Sequence, residues 1–324
     1  MKVLVVGGAG YIGSHTQYEL IKAGHSVVIL DNFSTGHKEF IHDKAKLYYG
    51  DIRVKDDVDR VFENESGIDV VMHFAAKIVV PESVKVPLEY YHNNVEGVRV
   101  LLESASAHGV KSFVFSSTAA VYGEPSKGVC EETDIPAPIN PYGETKLACE
   151  RMIKWVCEAK NMNYMIFRYF NVAGSDESLK IGYKRDIATH LIPLAIESVL
   201  GLRGPLSIFG SDYDTKDGTC VRDYIHVSDL AYAHVLGALY LSKGNKSEIV
   251  NLGSSSGYTV LEVINEVKKV AEIKYNLDCR REGDPAILIA STKKAKSLLG
   301  FTPKYSLLDM ISSELSFRKK QVNK

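Results

Sequence analysis

Nothing in this chain of 324 residues is spaced to hold a metal: the five cysteines (Cys130, Cys149, Cys157, Cys220 and Cys279) contain no C-x-x-C pair, and the ten histidines form no ligand cluster with them. An odd cysteine count also argues against a disulfide framework and reads as idle thiols in a reducing compartment. No stretch approaches the roughly 18 apolar residues of a membrane helix. The apolar run Val3–Val6 that follows Met1 and Lys2 is too short for a signal-peptide core, so a cytoplasmic location is expected. Charge of one sign is equally scarce. Basic and acidic residues number 39 and 40, leaving no electrostatic footprint for nucleic acid or an anionic membrane. What remains is an ordinary globular composition, 45% hydrophobic and 24% charged, long enough for one large or two ordinary domains.

Against that background the N-terminus is specific. Val3–Val6 is a short apolar run of the kind buried on both faces of a parallel sheet. It enters Gly7, Gly8, Ala9, Gly10, Tyr11, Ile12 and Gly13, and a helical pattern follows from Ser14 to Ala23. Strand, glycine turn and helix form the context of a dinucleotide site: Gly7 for the tight turn, Gly10 for approach to a pyrophosphate, Gly13 for close helix–strand packing. The next strand, Ser26–Leu30, ends in Asp31, where a carboxylate accepts from ribose hydroxyls and repels a 2′-phosphate, which favours NAD over NADP. Asp51, after the strand Lys46–Tyr49, is placed to meet the adenine amino group. Further strands are expected at 69–74, 111–116 and 164–168, with a helix from Asn94 to His108. The fold expected is α/β, a doubly wound parallel (Rossmann) sheet.

The second signal is Tyr142 with Lys146, after Pro141, which suits the first turn of a helix. Four residues apart on a helix, the two share a face about 5–6 Å apart. A cation there favours the phenolate and turns tyrosine into a general base. One lysine is too little to bring a phenol from ~10 to near 7, which takes about 4 kcal/mol, so a second cation is expected. The strand Phe113–Phe115 runs into Ser116, Ser117 and Thr118, hydroxyls beyond a strand's carboxyl end, where open α/β sheets bind ligands.

This combination resembles the extended short-chain dehydrogenase/reductase family. Longer strings narrow it: Arg168 to Gly174 (RYFNVAG), Gly218 to Val227 (GTCVRDYIHV) and Arg280 to Pro285 (RREGDP) resemble the UDP-glucose 4-epimerases, over most of the chain from Met1 to about Phe301. The resemblance implies tightly held NAD, a UDP-sugar substrate, and interconversion of UDP-glucose with UDP-galactose. Tyr142 would take the proton of the sugar 4-hydroxyl, directly or through Thr118. Lys146 would bind the nicotinamide ribose, and the positive nicotinamide ring would be the second cation, so Tyr142 should be strongly acidified only beside oxidised NAD. Cofactor contacts are implied at Gly7, Gly10, Tyr11, Ile12, Gly13, Asp31, Asn32, Asp51, Ile52, Phe74, Ala75, Ala76, Asn94, Ser116, Tyr142, Lys146 and Phe170. Substrate contacts are implied at Thr118, Tyr142, Asn171, His190, Leu191, Phe209, Arg222, Arg281, Asp284 and Leu288. Leu288 stands where the family borders the sugar 2-substituent; its intermediate size implies strong preference for UDP-glucose and UDP-galactose, with weak use of N-acetylated forms.

Three departures from the family stand out. Lys77 replaces a lysine some relatives carry at the position of Ile78 and is expected to point elsewhere. Position 118 is Thr rather than Ser. Thr189 and His190 replace an Asn pair, making His190 an uncharged phosphate donor. His73 and His226 read as structural. A 4,6-dehydratase would need an acidic pair after Thr118, where Ala119 and Ala120 stand. UDP-glucuronate or UDP-pentose epimerisation stays open, because the C4 chemistry is identical. A non-catalytic NAD-sensing module would be expected to carry a damaged Tyr-x-x-x-Lys, which is intact here.

The expected domains are 1–173 plus 222–252 for NAD, and 174–221 plus 253–324, a smaller mixed α/β domain, for the UDP-sugar. Within the first, Asp223–Leu241 reads as a helix and Glu248–Leu252 as a strand. On the helix from Tyr142, one stripe carries Ala148, Met152, Trp155, Val156 and Ala159, and another carries Cys149 and Ile153. The second exceeds what one sheet-facing surface needs and predicts a helix–helix homodimer contact. The basic run Arg318, Lys319 and Lys320 reads as a solvated terminus.

Overall fold

The apolar runs of the N-terminal half become parallel strands because only a sheet covered on both faces can hide them. The computed structural model describes residues 1–125, 127–185, 188–281 and 284–323. In chain order the elements are β1 (Lys2–Val6), α1 (Tyr11–Lys22), β2 (Ser26–Asp31), β3 (Lys46–Tyr49), α2 (Lys55–Asn64), β4 (Val70–His73), α3 (Val80–Lys85), α4 (Pro87–Tyr90), α5 (Gly97–Ala107), β5 (Ser112–Thr118), β6 (Val129–Cys130), α6 (Pro141–Ala159), β7 (Asn163–Tyr169) and β8 (Asn171–Ala173). They continue as α7 (Leu191–Val199), β9 (Leu206–Phe209), β10 (Val221–His226), α8 (Val227–Ser242), β11 (Glu248–Leu252), β12 (Gly257–Thr259), α9 (Val260–Lys268), β13 (Tyr275–Asp278), β14 (Ile287–Ala290), α10 (Lys293–Leu299) and α11 (Leu307–Val322).

Two compact units result. The first comprises Met1–Gly123, Pro136–Arg168 and Ala231–Val250. Its sheet has the order β3-β2-β1-β4-β5-β7-β11, with β3 to β5 paired in parallel. The order reverses between β1 and β4, the switch point at which such sheets bind ligands. Val3–Val6, Val28, Leu30, Val71, Phe113 and Phe115 are fully buried in its core. Truncating either phenylalanine to alanine removes core of the kind worth about 3–5 kcal/mol.

The second unit comprises Glu124–Ile135, Tyr169–Leu230 and Asn251–Lys324. Here β12-β10-β14-β6 form a sheet with β8 added on β10, β9 pairs with β13, and α7, α9 and α11 share a core with them. These limits differ from the expected domains at four segments, Glu124–Ile135, Tyr169–Ala173, Arg222–Leu230 and Asn251–Leu252, all of which fall in the second unit. Glu124–Ile135 joins the second unit because β6 pairs with β14. Arg222–Leu230 joins it because β10 pairs with β8, β12 and β14.

Four local expectations are corrected. The helix expected from Asp223 starts only at Val227; Asp223 lies in β10, where its buried carboxylate accepts from the amides of Ser254, Ser255 and Ala290. The stretch expected as a helix from Asn94 is helical, but Asn94 lies in a π-helical turn over Tyr91–Glu96 that runs into the α-helix at Gly97, a distortion that recurs at functional sites. On α6, Cys149 and Ile153 face the core, and the half-exposed stripe is the other one: Trp155 is 73% exposed, with Met152 and Val156 beside it. The basic run is the end of α11; Lys319 and Lys320 are exposed as expected of a solvated terminus, but Arg318 is buried and paired with Glu197.

Candidate active site

The glycine turn leaves a cradle that side chains would fill. Gly7 has φ +81°, and a Cβ there would lie 2.6 Å from the Ala75 nitrogen; at Gly13 it would lie 2.2 Å from the Gly7 carbonyl oxygen. Behind this turn α1 begins with no side-chain cap and no acidic residue in its first turn, so its amides and its positive dipole end are available to an anion. Asp31 ends β2; its carboxylate accepts from the amides of Ala9 (2.9 Å) and Phe33 (2.8 Å) and keeps lone pairs for further donors. Burial pushes its pKa up, and the two amide bonds oppose this. The observed chemistry fits a dinucleotide: an uncapped helix start for phosphates and an anion where a ribose, not a 2′-phosphate, belongs.

Several residues expected at the cofactor are partly committed to the protein. Asp51 is held at about 2 by Arg53 first of all and then by Asn32, both of which donate to it. It sits beside Asn32 as expected, but its carboxylate already carries an arginine fork. Asn94 is buried and acts as a clamp. Its Oδ1 accepts from the Lys77 amide (2.8 Å), and its Nδ2 donates to the Lys77 carbonyl (3.0 Å) and to Thr145 Oγ1 (3.1 Å). Lys77 itself points to Glu89 (2.5 Å) and Glu82 (3.7 Å), not to a phosphate site. Phe74 and Ala75 donate their amides to Val6, which sets the backbone of 74–76 against the glycine turn. Tyr11 and Ile12 open α1, and Ile52 is buried just past β3.

The reactive cluster stands at the carboxyl end of β5. Asn140 caps α6 by accepting from the Gly143 amide (2.9 Å), and Pro141 takes the first turn, so the helix start that carries Tyr142 is firmly set. Tyr142 is 9% exposed and Lys146 3%. Lys146 Nζ donates to the Ser116 carbonyl (2.8 Å) and lies 4.8 Å from the Phe115 ring centre, a cation–π contact. Burial pushes Lys146 down to about 8, opposed by Cys149 and Glu150. Thr118 accepts from the Ala120 amide (3.1 Å), which leaves its hydroxyl proton to donate. His73, stacked on Phe115, is held neutral at about 3 by burial and by Lys146.

In the second unit, Arg222 pairs with Asp284 and stands in register with Leu288 on β14. Arg281 lies over the Phe209 ring, 3.8 Å from its centre. Burial pushes the Cys220 thiol up, with Asp284 adding to the shift and Arg222 and Arg281 opposing it. Asn171 donates to the Asp223 carbonyl (3.0 Å). Phe170 is buried, with its amide on the Leu252 carbonyl (3.3 Å). His190 precedes the uncapped start of α7 at Leu191, and burial, with Arg185 adding, holds it neutral at about 4. His226 is stacked on Tyr305 at 4.2 Å. The string Arg280 to Pro285 includes Glu282 and Gly283, which lie outside the described residues. Among the described residues there is no group of metal-ligating side chains and no helix long and apolar enough to cross a membrane.

Sequence reading missed the layer beneath this cluster. Glu150 and Arg168 form a buried bidentate pair (2.9 and 2.6 Å), and Ser117 Oγ donates to the same carboxylate (2.5 Å). Removing one member of such a pair strands a buried charge, at about 3–5 kcal/mol. The available signal was a carboxylate four residues beyond Lys146 on an otherwise apolar helix face.

Residues 3–253 match the NAD dependent epimerase/dehydratase family. A UDP-glucose 4-epimerase of Lacticaseibacillus casei is 48% identical over 96% of this chain and 94% of its own length. A crystal structure of a UDP-glucose 4-epimerase superposes with a TM-score of 0.97 at 47% identity, covering 100% of this chain and 99% of the other. The UDP-glucose 4-epimerase of Bifidobacterium longum, solved in complex with NAD+ and UDP, gives 0.93 at 37% identity, covering 100% and 99%. Glycine cradle, uncapped helix start, Asp31 and the Tyr142–Lys146 pair thus occur together in a chain that belongs to the NAD dependent epimerase/dehydratase family.

Proposed function

We propose that this chain interconverts UDP-glucose and UDP-galactose, with NAD as its cofactor. The observation that carries the reading is the Lys146 ammonium, fixed on the Ser116 carbonyl one helical turn from Tyr142, at the strand end that also carries Thr118. The full-length likeness to UDP-glucose 4-epimerases supports it. Gly7, Gly10, Gly13, the start of α1 and Asp31 would hold NAD, which when bound accepts a hydride from sugar C4 and returns it. Tyr142, as phenolate, takes the 4-hydroxyl proton, directly or through the Thr118 hydroxyl, and later gives it back. Lys146 keeps a positive charge beside that phenolate. Arg222 and Arg281 suit a diphosphate, because guanidinium and phosphate match as forks. Asp284 would accept from the uridine ribose, and Phe209 would pack on uracil. Transient release of the sugar ring is needed, since the 4-keto sugar must present its other face before reduction.

The test is incubation with UDP-galactose without added NAD, following UDP-glucose and the absorbance of enzyme-bound reduced cofactor. Product should form with no added cofactor; no product from any UDP-hexose sinks the reading. Leu288 should favour the simple hexoses, with kcat/KM for UDP-galactose exceeding that for UDP-N-acetylgalactosamine by about 10-fold or more, the range one pocket contact can give. Equal values would remove Leu288 as the discriminating residue.

A homodimer and a cytoplasmic location belong to the same reading. The first is supported by exposed Trp155 on α6 and by an apolar groove that Met152 and Val156 line with Leu102 of α5, and the second by five free cysteines, four of them buried. Sedimentation equilibrium should give twice the chain mass at micromolar concentration. A monomer mass independent of concentration would refute the dimer.

A further inference from the structure

Tyr142, Lys146 and Glu150 are spaced by four along α6 and therefore share one face. Glu150 is fully buried, and Arg168 and Ser117, the groups that satisfy it, are buried with it. Arg168 grips both carboxylate oxygens, and its guanidinium lies 4.9 Å from the ring centre of Tyr122, which closes the turn after Thr118. Ser117, the hydroxyl donor, sits between Ser116, whose carbonyl receives the Lys146 ammonium, and Thr118. One carboxylate therefore ties together the end of β5, the turn beyond it, β7 and the catalytic helix. We propose that Glu150 is a positioning residue for the reaction: through Ser117 and Arg168 it sets the strand end that holds Lys146, and it supplies a buried negative charge one helical turn beyond that lysine on the same helix face.

The charges around Lys146 support the second part. From its own helix it faces Tyr142, Cys149 and Glu150; from β4, His73; from β5, the Ser116 carbonyl and the Phe115 ring. Arg168 on β7 pairs with Glu150 and lies over the Tyr122 ring. Burial pushes the Cys149 thiol up to about 12, so it is neutral at working pH, and His73 is neutral as well. That leaves Glu150 as the fixed anion among the groups acting on Lys146. Removing its charge must lower the pH at which Lys146 loses its proton, and the alkaline limb of the kcat profile must move down with it.

The proposal rests on the epimerase reading, and its test is run on NAD-loaded enzyme with UDP-galactose. Glu150→Gln should lower kcat by about 10- to 100-fold, the scale of a sub-ångström misplacement, while KM stays within about threefold. Its alkaline limb should move to lower pH, and NAD measured after denaturation should remain stoichiometric. Arg168→Lys keeps the charge but loses the fork, so kcat should fall by a smaller factor, about 3- to 10-fold, with the alkaline limb in place. Wild-type kcat and alkaline limb in Glu150→Gln would overturn the proposal, as would a defect confined to KM or to NAD content. Should that variant fail to fold, Arg168→Lys decides, and wild-type kcat there overturns it. A wild-type enzyme without turnover would overturn both this proposal and the epimerase reading, whereas an active wild type with an unchanged Glu150→Gln overturns this proposal alone.

Discussion

Tyr142→Phe is expected to lose about 10³-fold or more in kcat while retaining NAD and fold. The phenyl ring keeps the packing of a residue already 9% exposed, so little stability is at stake. What disappears is the only oxygen that the Tyr142 position can offer the sugar 4-hydroxyl. General acid–base catalysis contributes about 10²–10⁴-fold, and both half-reactions at C4 need it. NAD should stay bound because the glycine cradle, the start of α1 and Asp31 do not involve the phenol. The pH dependence should change as well. A general base gives the pH profile an acid limb, so the variant's residual rate should lack it. Turnover within a few-fold of wild type, measured with purified NAD-loaded enzyme, would show that another base acts.

Gly7→Ala should empty the cofactor site. The new Cβ would stand 2.6 Å from the Ala75 nitrogen and 2.9 Å from its Cα, both backbone atoms held by the β4 end on β1. Neither can move aside as a flexible side chain could. The φ of +81° adds strain of about 1–3 kcal/mol. Gly24→Ala provides the control. Its φ is almost the same, +82°, but a Cβ there meets nothing within 4 Å. It should therefore show the strain alone, a drop in thermal midpoint of a few degrees, with NAD and turnover intact. Gly7→Ala should show that drop and also lose NAD and activity by 10²-fold or more, since the turn that admits the pyrophosphate is displaced. Equal NAD content in the two variants, determined on denatured protein, would remove Gly7 from the cofactor site.

Where the chemistry depends on short spacings, it was legible before any coordinates. Gly7, Gly10 and Gly13 sit within one turn and the first residues of a helix. Asp31 ends the next strand, and Tyr142 and Lys146 are one helical turn apart. Local geometry alone brings each of these sets together, so periodicity and turn chemistry suffice to find them. Asp223 was misread for the opposite reason. Its stretch carries a helical pattern into α8, and the amides that make it a strand residue come from Ser254, Ser255 and Ala290, distant in sequence. The two stripes of α6 were both visible, but hydrophobicity alone could not say which one the sheet would cover; Cys149 and Ile153 went inside and Trp155 out.

The sequence by itself determined the cofactor class and brought the proposed base and its lysine together, because each is a local arrangement whose geometry follows from strand, turn and helix periods. Only the tertiary structure decided what surrounds them. Asn94 became a clamp between the Lys77 backbone and Thr145 instead of an open contact. Lys77 turned to Glu82 and Glu89. Ser117, Glu150 and Arg168, from three separate elements, closed into one buried network. A charge is tolerated in such a core only when its partners are fixed by packing. Which partners those are depends on which strands adjoin, and no spacing within a single segment encodes that.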